Sequence, residues 1–146
     1  MKKYIIVLFS IVLIIACNNK NLAKDYILKA DKYYNNKEYT KALEYYLKAD
    51  LEGNDVASKK LGHLYYYGKG VIKNEKRAIK YYKKSAEKGN GFSQYKLGAI
   101  YYDKKKYEKS IKWFEKAIEN PNTSKKIKML SNAIYKEINI ERGIKK

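Results

Sequence analysis

Cysteine, histidine and proline each occur once in this chain of 146 residues, and acidic residues number only 15 against 33 lysines and arginines. One Cys and one His leave no side-chain set for a His-rich metal centre, a Cys/His zinc site or a disulfide framework. No metal or cofactor is expected, and an enzymatic role is not expected either. The shortage of acids leaves a formal net charge of +18. Lys, Asn, Ile and Tyr are abundant together, as AT-rich codons produce, so much of that charge reads as solvated helix face. It still favours encounter with acidic proteins, anionic lipids or anionic envelope polymers, most strongly at low salt. The chain has 45% hydrophobic and 14% aromatic residues, including 17 tyrosines. That is enough apolar material for a packed domain.

The apolar run at residues 4–16, YIIVLFSIVLIIA, follows Lys2 and Lys3 and gives way abruptly to Asn18-Asn19-Lys20-Asn21. It falls short of the roughly 20 residues that cross a bilayer core, so it reads as a signal peptide and not as a permanent span. Its end, Ile14-Ile15-Ala16-Cys17, resembles the bacterial lipobox. The resemblance implies that Cys17 receives diacylglycerol and fatty acid such as palmitate and becomes the new N-terminus. Residues 1–16 are then leader and residues 17–23 a lipidated polar tether. Loss of Lys2 and Lys3 leaves 31 basic against 15 acidic residues, a charge of +16. Several acyl chains at about 0.8 kcal/mol per buried CH₂ anchor a protein stably. The expected location is the extracytoplasmic side of a bacterial envelope membrane.

Beyond the tether the chain repeats itself. Ala42-Leu43-Glu44-Tyr45-Tyr46 returns 36 residues later as Ala78-Ile79-Lys80-Tyr81-Tyr82, and 32 residues after that as Ser110-Ile111-Lys112-Trp113-Phe114. Before each copy stands a second motif: Ala30-Asp31-Lys32-Tyr33-Tyr34, Gly62-His63-Leu64-Tyr65-Tyr66 and Gly98-Ala99-Ile100-Tyr101-Tyr102. Apolar residues spaced by three and four within each motif predict amphipathic helices, so each repeat is a helix pair. Gly53 and Gly89 are placed to end helices in the left-handed conformation, and Pro121 stops the third copy. The small residues at 30, 62 and 98 and at 42, 78 and 110 allow close backbone approach, with aromatic side chains filling the space beside them.

Leu97-Gly98-Ala99-Ile100-Tyr101 with Ser110, Phe114, Ala117 and Asn120-Pro121 resembles a tetratricopeptide repeat. The middle copy, with Leu61-Gly62, Tyr65, Tyr67-Gly68-Lys69-Gly70, Arg77-Ala78, Tyr81-Tyr82 and Ser85-Ala86-Glu87-Lys88-Gly89, is similar to the related Sel-one-like repeat. Its inter-helix segment is four residues longer than in the other copies. The first copy departs most, with Lys29 where Leu is expected and Ala30 where Gly is. The resemblance implies an all-α fold, a short right-handed α-solenoid of helix-turn-helix repeats over residues 24–122. Residues 123–146 then form a C-terminal capping helix, started by Thr123 or Ser124. In that helix Ile127, Leu130, Ala133, Ile134 and Ile138 are expected to face the array, and Lys125, Lys126, Lys128, Lys136 and Glu137 to face water.

Gly68-Lys69-Gly70 lacks the glycine spacing, the hydroxyl residue and the preceding strand of a phosphate loop. His63 has no nucleophile or orienting carboxylate near it in the pattern. Nucleic acid is disfavoured as a partner because the chain is read as exported and its tyrosines recur at packing positions. In tetratricopeptide proteins the first helices of successive repeats line a peptide-holding groove. Transferred residue by residue, the resemblance implies a groove of Lys59, His63, Tyr66, Tyr67, Tyr95 and Tyr102, with Asp31, Tyr34, Ala99 and Asp103 at corresponding positions. The expected role is a non-catalytic scaffold for an envelope protein or peptide. Binding of an anionic polymer or lipid headgroups, or inhibition of a toxin or lytic enzyme, stays open as an alternative.

Overall fold

The computed structural model describes residues 21–141 and Gly143, so Cys17, the leader and most of the tether lie outside the described residues. Seven α-helices account for most of it: α1 (21–35), α2 (Tyr39–Leu51), α3 (Asp55–Tyr67), α4 (Glu75–Glu87), α5 (Gly91–Asp103), α6 (Tyr107–Glu119) and α7 (Lys125–Glu141). No strand occurs among the described residues. None of their helices is long and apolar enough to cross a membrane. The chain divides into two compact units, 1–74 and 75–146.

One spacing builds the second helix of each repeat. Ala42, Tyr46 and Ala49 of α2 are fully buried, as are Ala78, Tyr82 and Ser85 of α4 and Ser110, Phe114 and Ala117 of α6. Positions i, i+4 and i+7 lie on one helical stripe, and the order small, aromatic, small lets a ring enter a close contact. The first helices answer with small residues at the expected places: Ala30 is fully buried, and Gly62 and Gly98 are buried. Within the second unit the contact is direct. The Ser110 hydroxyl donates to the Gly98 carbonyl at 2.8 Å, so α5 and α6 meet backbone to side chain.

The ends of the helices follow from residues beside the glycines. Gly53 and Gly89 take φ of 79° and 85°. The residue after each, Asn54 or Asn90, caps the next helix by accepting the backbone N–H of Ala57 at 3.1 Å or Ser93 at 3.0 Å. A Gly-Asn pair thus closes one helix and opens another within two residues. Pro121 follows the end of α6, as expected, and the Asn120 side chain donates to the Gly89 carbonyl at 2.7 Å and to Gln94 at 3.0 Å.

The expected face of α7 needs correction. Leu130 is 40% exposed and Ala133 is exposed, whereas Ser131 is fully buried. At 100° per residue, Ile127, Ser131, Ile134 and Ile138 form the stripe turned toward α6, and positions 130 and 133 fall outside it. A small residue outcompetes a leucine there because α7 packs closely on α6 and also touches α5. Lys128 is half-buried, not open to water. Of the two candidate caps, Ser124 accepts the N–H of Ile127, at 3.5 Å, while Thr123 is buried.

Candidate functional site

In the first unit the residues that sequence placed in a groove meet around an aromatic cluster. The His63 ring lies 4.6 Å from Tyr67 and 6.2 Å from Tyr34, centroid to centroid. Tyr66 stands edge-on to Tyr67 at 4.9 Å, and Tyr34 edge-on to Tyr39 at 5.3 Å. Five rings from α1, α2 and α3 therefore form one continuous chain in the order Tyr39, Tyr34, His63, Tyr67, Tyr66, and Tyr67 within it is 50% exposed. Edge-to-face pairs of this kind contribute about 0.5–1.5 kcal/mol beyond burial and hold the rings in a fixed arrangement.

Cations border these rings. The Lys69 ammonium donates to the Tyr34 hydroxyl at 3.0 Å and lies 5.2 Å from the Tyr34 and Tyr39 centroids. That hydrogen bond raises the Lys69 pKa and keeps it cationic. Lys69 reaches this position because the long α3–α4 segment folds back onto the start of α2. A Cβ on Gly70, which has φ +67°, would sit 2.6 Å from the Thr40 nitrogen. Only glycine fits that approach. The segment is pinned by the N–H of Lys69 to the carbonyl of Leu64 at 3.0 Å and the N–H of Asn74 to that of Tyr65 at 2.8 Å.

Below the rings, Asp31 of α1 accepts from the buried Tyr46 hydroxyl of α2 and from Lys60 of α3 at 3.0 Å. Burial pushes the Asp31 carboxyl up, but the hydrogen bonds from Tyr46 and Lys60 outweigh it and hold the group below its ordinary value of 3.8. Burial, then the bond to Asp31, drives the Tyr46 phenol far upward. Lys59 makes a different use of its position. It is half-buried, and burial followed by repulsion from Lys60 lowers its pKa. It is Lys60 that completes the Asp31 network.

Tyr95 and Tyr102 belong to the second unit. Tyr95 lies 6.0 Å from Phe114, with the Lys96 ammonium 6.0 Å from its ring. Tyr102 lies 6.0 Å from Tyr107, and its hydroxyl donates to Glu137 of α7 at 2.9 Å. That bond raises the phenol to about 12. The Tyr102 hydroxyl is thus engaged inside the unit. Sequence reasoning missed Tyr39, Lys60 and Lys69. The two glycines around Lys69 and the extra length of that segment were the available signal for a fold-back, but they did not name its target.

No group of His, Cys, Asp and Glu able to hold a metal occurs among the described residues. Rings, ammonium groups and one carboxylate network suit recognition by contact and hydrogen bonding.

Comparison with known proteins agrees with this architecture. The Sel1 repeat model matches residues 36–53 and 56–90, and the tetratricopeptide repeat model matches residues 91–120. No curated protein matches the sequence. The crystal structure of a Sel1 repeat protein from Oxalobacter formigenes is similar with 31% identity and a TM-score of 0.65, over 74% of this chain and 45% of that one. A protective antigen present in uropathogenic Escherichia coli strains, displaying an SLR fold, is similar with 26% identity and a TM-score of 0.58, over 80% and 30% of the two chains. The chain spans less than half the length of either structure. Repeats of these two kinds are generally non-enzymatic scaffolds for protein interaction. The described residues form an all-α fold of the α-solenoid class that contains Sel1 repeats and a tetratricopeptide repeat.

Proposed function

We propose that this chain is a lipid-anchored protein of a bacterial envelope that holds another protein or a peptide without catalysis. The Tyr34, Tyr39, His63, Tyr66 and Tyr67 cluster would supply the contact and Lys69 a cationic edge. The observation that carries the reading is the continuous chain of five rings that includes half-exposed Tyr67. Rigid aromatic surface of this kind lowers the entropy cost of binding and commonly supplies hot spots. The basic start, apolar run and lipobox-like Ile14-Ile15-Ala16-Cys17 support the anchor.

Crosslinking in intact cells followed by identification of the attached protein supplies the partner. Tyr67→Ala combined with His63→Ala is expected to weaken binding of that partner by about 2 kcal/mol or more, roughly thirtyfold, a larger effect on binding than on melting, which falls only by the loss of the ring pairs these side chains make. Tyr65→Ala should do the opposite, because Tyr65 is only 5% exposed. Moderate salt should weaken binding modestly. A loss of several orders of magnitude with salt, combined with indifference to the double substitution, would transfer the function to an anionic polymer. The anchor is checked separately: metabolic labelling with a fatty acid should mark the protein, and label persisting on Cys17→Ser would refute lipidation.

A further inference from the structure

The first helix pair departs from its counterparts at two positions of α1. Positions 29 and 32 correspond to Leu61 and Leu64 of α3 and to Leu97 and Ile100 of α5. Leu61, Leu64 and Leu97 are fully buried and Ile100 is 3% exposed, in helices that pack against the second helix of the copy before, α3 on α2 and α5 on α4. In α1 these positions hold Lys29 and Lys32, and both are exposed. The rings beside them are kept: Tyr33 matches Tyr65 and Tyr101, and Tyr45 of α2 matches Tyr81 and Trp113. A cation near the ring is kept as well, since the Lys41 ammonium lies 5.3 Å from the Tyr33 centroid and the Lys109 ammonium 5.8 Å from that of Tyr101. The first pair thus retains the rings of the repeat and exchanges two apolar side chains for ammonium groups. A helix packed on α1 as α2 packs on α3 would strip water from both, so the exchange disfavours another repeat as the occupant.

A cavity of about 430 Å³ stands there, a size at which proteins hold small ligands. Lys29, Lys32 and Tyr33 of α1 and Lys41 and Tyr45 of α2 line it, joined at the α1–α2 turn by Asn36 and Glu38. The Tyr33 and Tyr45 rings stack at 5.4 Å with 18° between their planes. Asp25 pairs with Lys29 at 2.9 Å and Glu38 with Lys41 at 2.6 Å, which restrains those two ammonium groups. Lys32 acts on Glu38 at longer range and forms no ion pair among the described residues. Three ammonium groups against one carboxylate leave the lining with a surplus of two positive charges. Ligand pockets are ordinarily lined by apolar side chains. Here every lining side chain ends in a hydrogen-bonding group, so a ligand that gains from this cavity carries donors and acceptors over most of its surface, and negative charge besides. The backbone N–H groups of Asn36, Lys37 and Glu38 already donate to the carbonyls of Lys32, Tyr34 and Tyr33, so the turn offers no ladder to an extended peptide. A hydroxyl-rich ring bearing an anion meets these conditions.

We propose that the cavity between α1 and α2 binds an acidic sugar, with its carboxylate or phosphate on Lys29, Lys32 and Lys41 and its hydroxyls on Asn36 and Glu38, against the Tyr33 and Tyr45 pair. The site shares no residue with the ring cluster around His63 and is independent of the partner-binding reading above.

The test is a ligand-observed NMR titration of the full chain, in a detergent without sugar or phosphate groups, with glucuronic acid and with glucose 6-phosphate. At least one of the two should bind about tenfold or more tighter than glucose, acetate or inorganic phosphate, and the tighter of the two tells whether the anion is carboxylate or phosphate. Lys32→Glu should lower that affinity by about tenfold or more, while Lys112→Glu, the same change of charge at an exposed position of α6, should leave it within about twofold. Both substituted positions are exposed, so folding is preserved. Tyr67→Ala with His63→Ala should leave sugar binding unchanged, so this proposal and the partner reading fail separately. Several results would each overturn the proposal: binding of neither sugar acid, glucose bound as tightly as they are, acetate or phosphate bound as tightly, which would mean an adventitious ion only, tighter binding of triglutamate, which would assign the cavity to an acidic peptide, or equal losses from Lys32→Glu and Lys112→Glu.

Discussion

Gly98→Val is expected to destabilise the second unit by about 3 kcal/mol or more, enough to unfold a large fraction of it at moderate urea. A Cβ at position 98 would stand 2.7 Å from Cδ1 and Cε1 of Phe114, a distance real side chains do not adopt. Phe114 has no room to retreat because it is fully buried between Ser110 and Ala117 on its own stripe. Overpacking in a core costs about 1–3 kcal/mol, and valine adds a branched side chain where even one methyl group collides. Gly98→Ala should cost less, since alanine recovers about 1 kcal/mol of helix propensity. Combining Gly98→Ala with Phe114→Leu should cost less than the sum of the two single changes, because the smaller side chain makes room for the methyl group. Urea titration followed by circular dichroism measures the four variants against the parent. A Gly98→Val midpoint equal to that of the parent would show that α5 and α6 do not meet as closely as described.

Tyr46→Ala is the other change with a large expected effect, about 3–5 kcal/mol in the first unit, since a fully buried ring would leave a cavity among α1, α2 and α3. Tyr46→Phe separates the ring from its hydroxyl. It should cost about 1–2 kcal/mol, because Asp31 would keep Lys60 but lose the phenol donor. The same network predicts a pH response. The folded Asp31 carboxyl is held below 3.8, so its contribution is present above that value and is lost as pH falls through the lower folded value. Asp31 is partly solvated, its side chain being 39% exposed, so this contribution is modest. Stability of Asp31→Asn measured from pH 5 to pH 2 should decline less steeply than that of the parent. Parallel curves for the two proteins would remove Asp31 from the account of acid stability.

The helix pairs were legible in the sequence because packing had left a numerical trace. A ring surrounded by small residues four before and three after it recurs at 46, 82 and 114, and a small residue recurs at 30, 62 and 98. Those patterns report local periodicity, which one segment carries by itself. The extra four residues between Tyr66 and Ala78 were equally visible, and the structure places them in a segment of seven residues between α3 and α4 where the other repeats have three. The groove residues of the first unit were legible in part. His63, Tyr66 and Tyr67 share α3 and follow from its register, whereas Tyr39 stands on α2 and enters the cluster through its contact with Tyr34 of α1, with the segment bearing Lys69 and Gly70 folded against it.

The remaining features depend on contacts between elements distant in sequence. Lys59 and Lys60 are adjacent and chemically identical, and nothing local says which reaches Asp31, 28 or 29 positions away; the placement of α3 against α1 decides it for Lys60. On α7 both Leu130 and Ser131 fit a helical stripe within one residue, and hydrophobicity alone favours the leucine. The short distance to α6 selects the serine and turns the leucine outward. Sequence by itself determined the repeating helix pairs, their boundaries and their small and aromatic packing residues, because these follow from the rotation of 100° per residue along a single helix. Tertiary structure decided which of two neighbouring side chains is buried, paired or left open, because that depends on the distance and angle of a second helix, which a single segment does not encode.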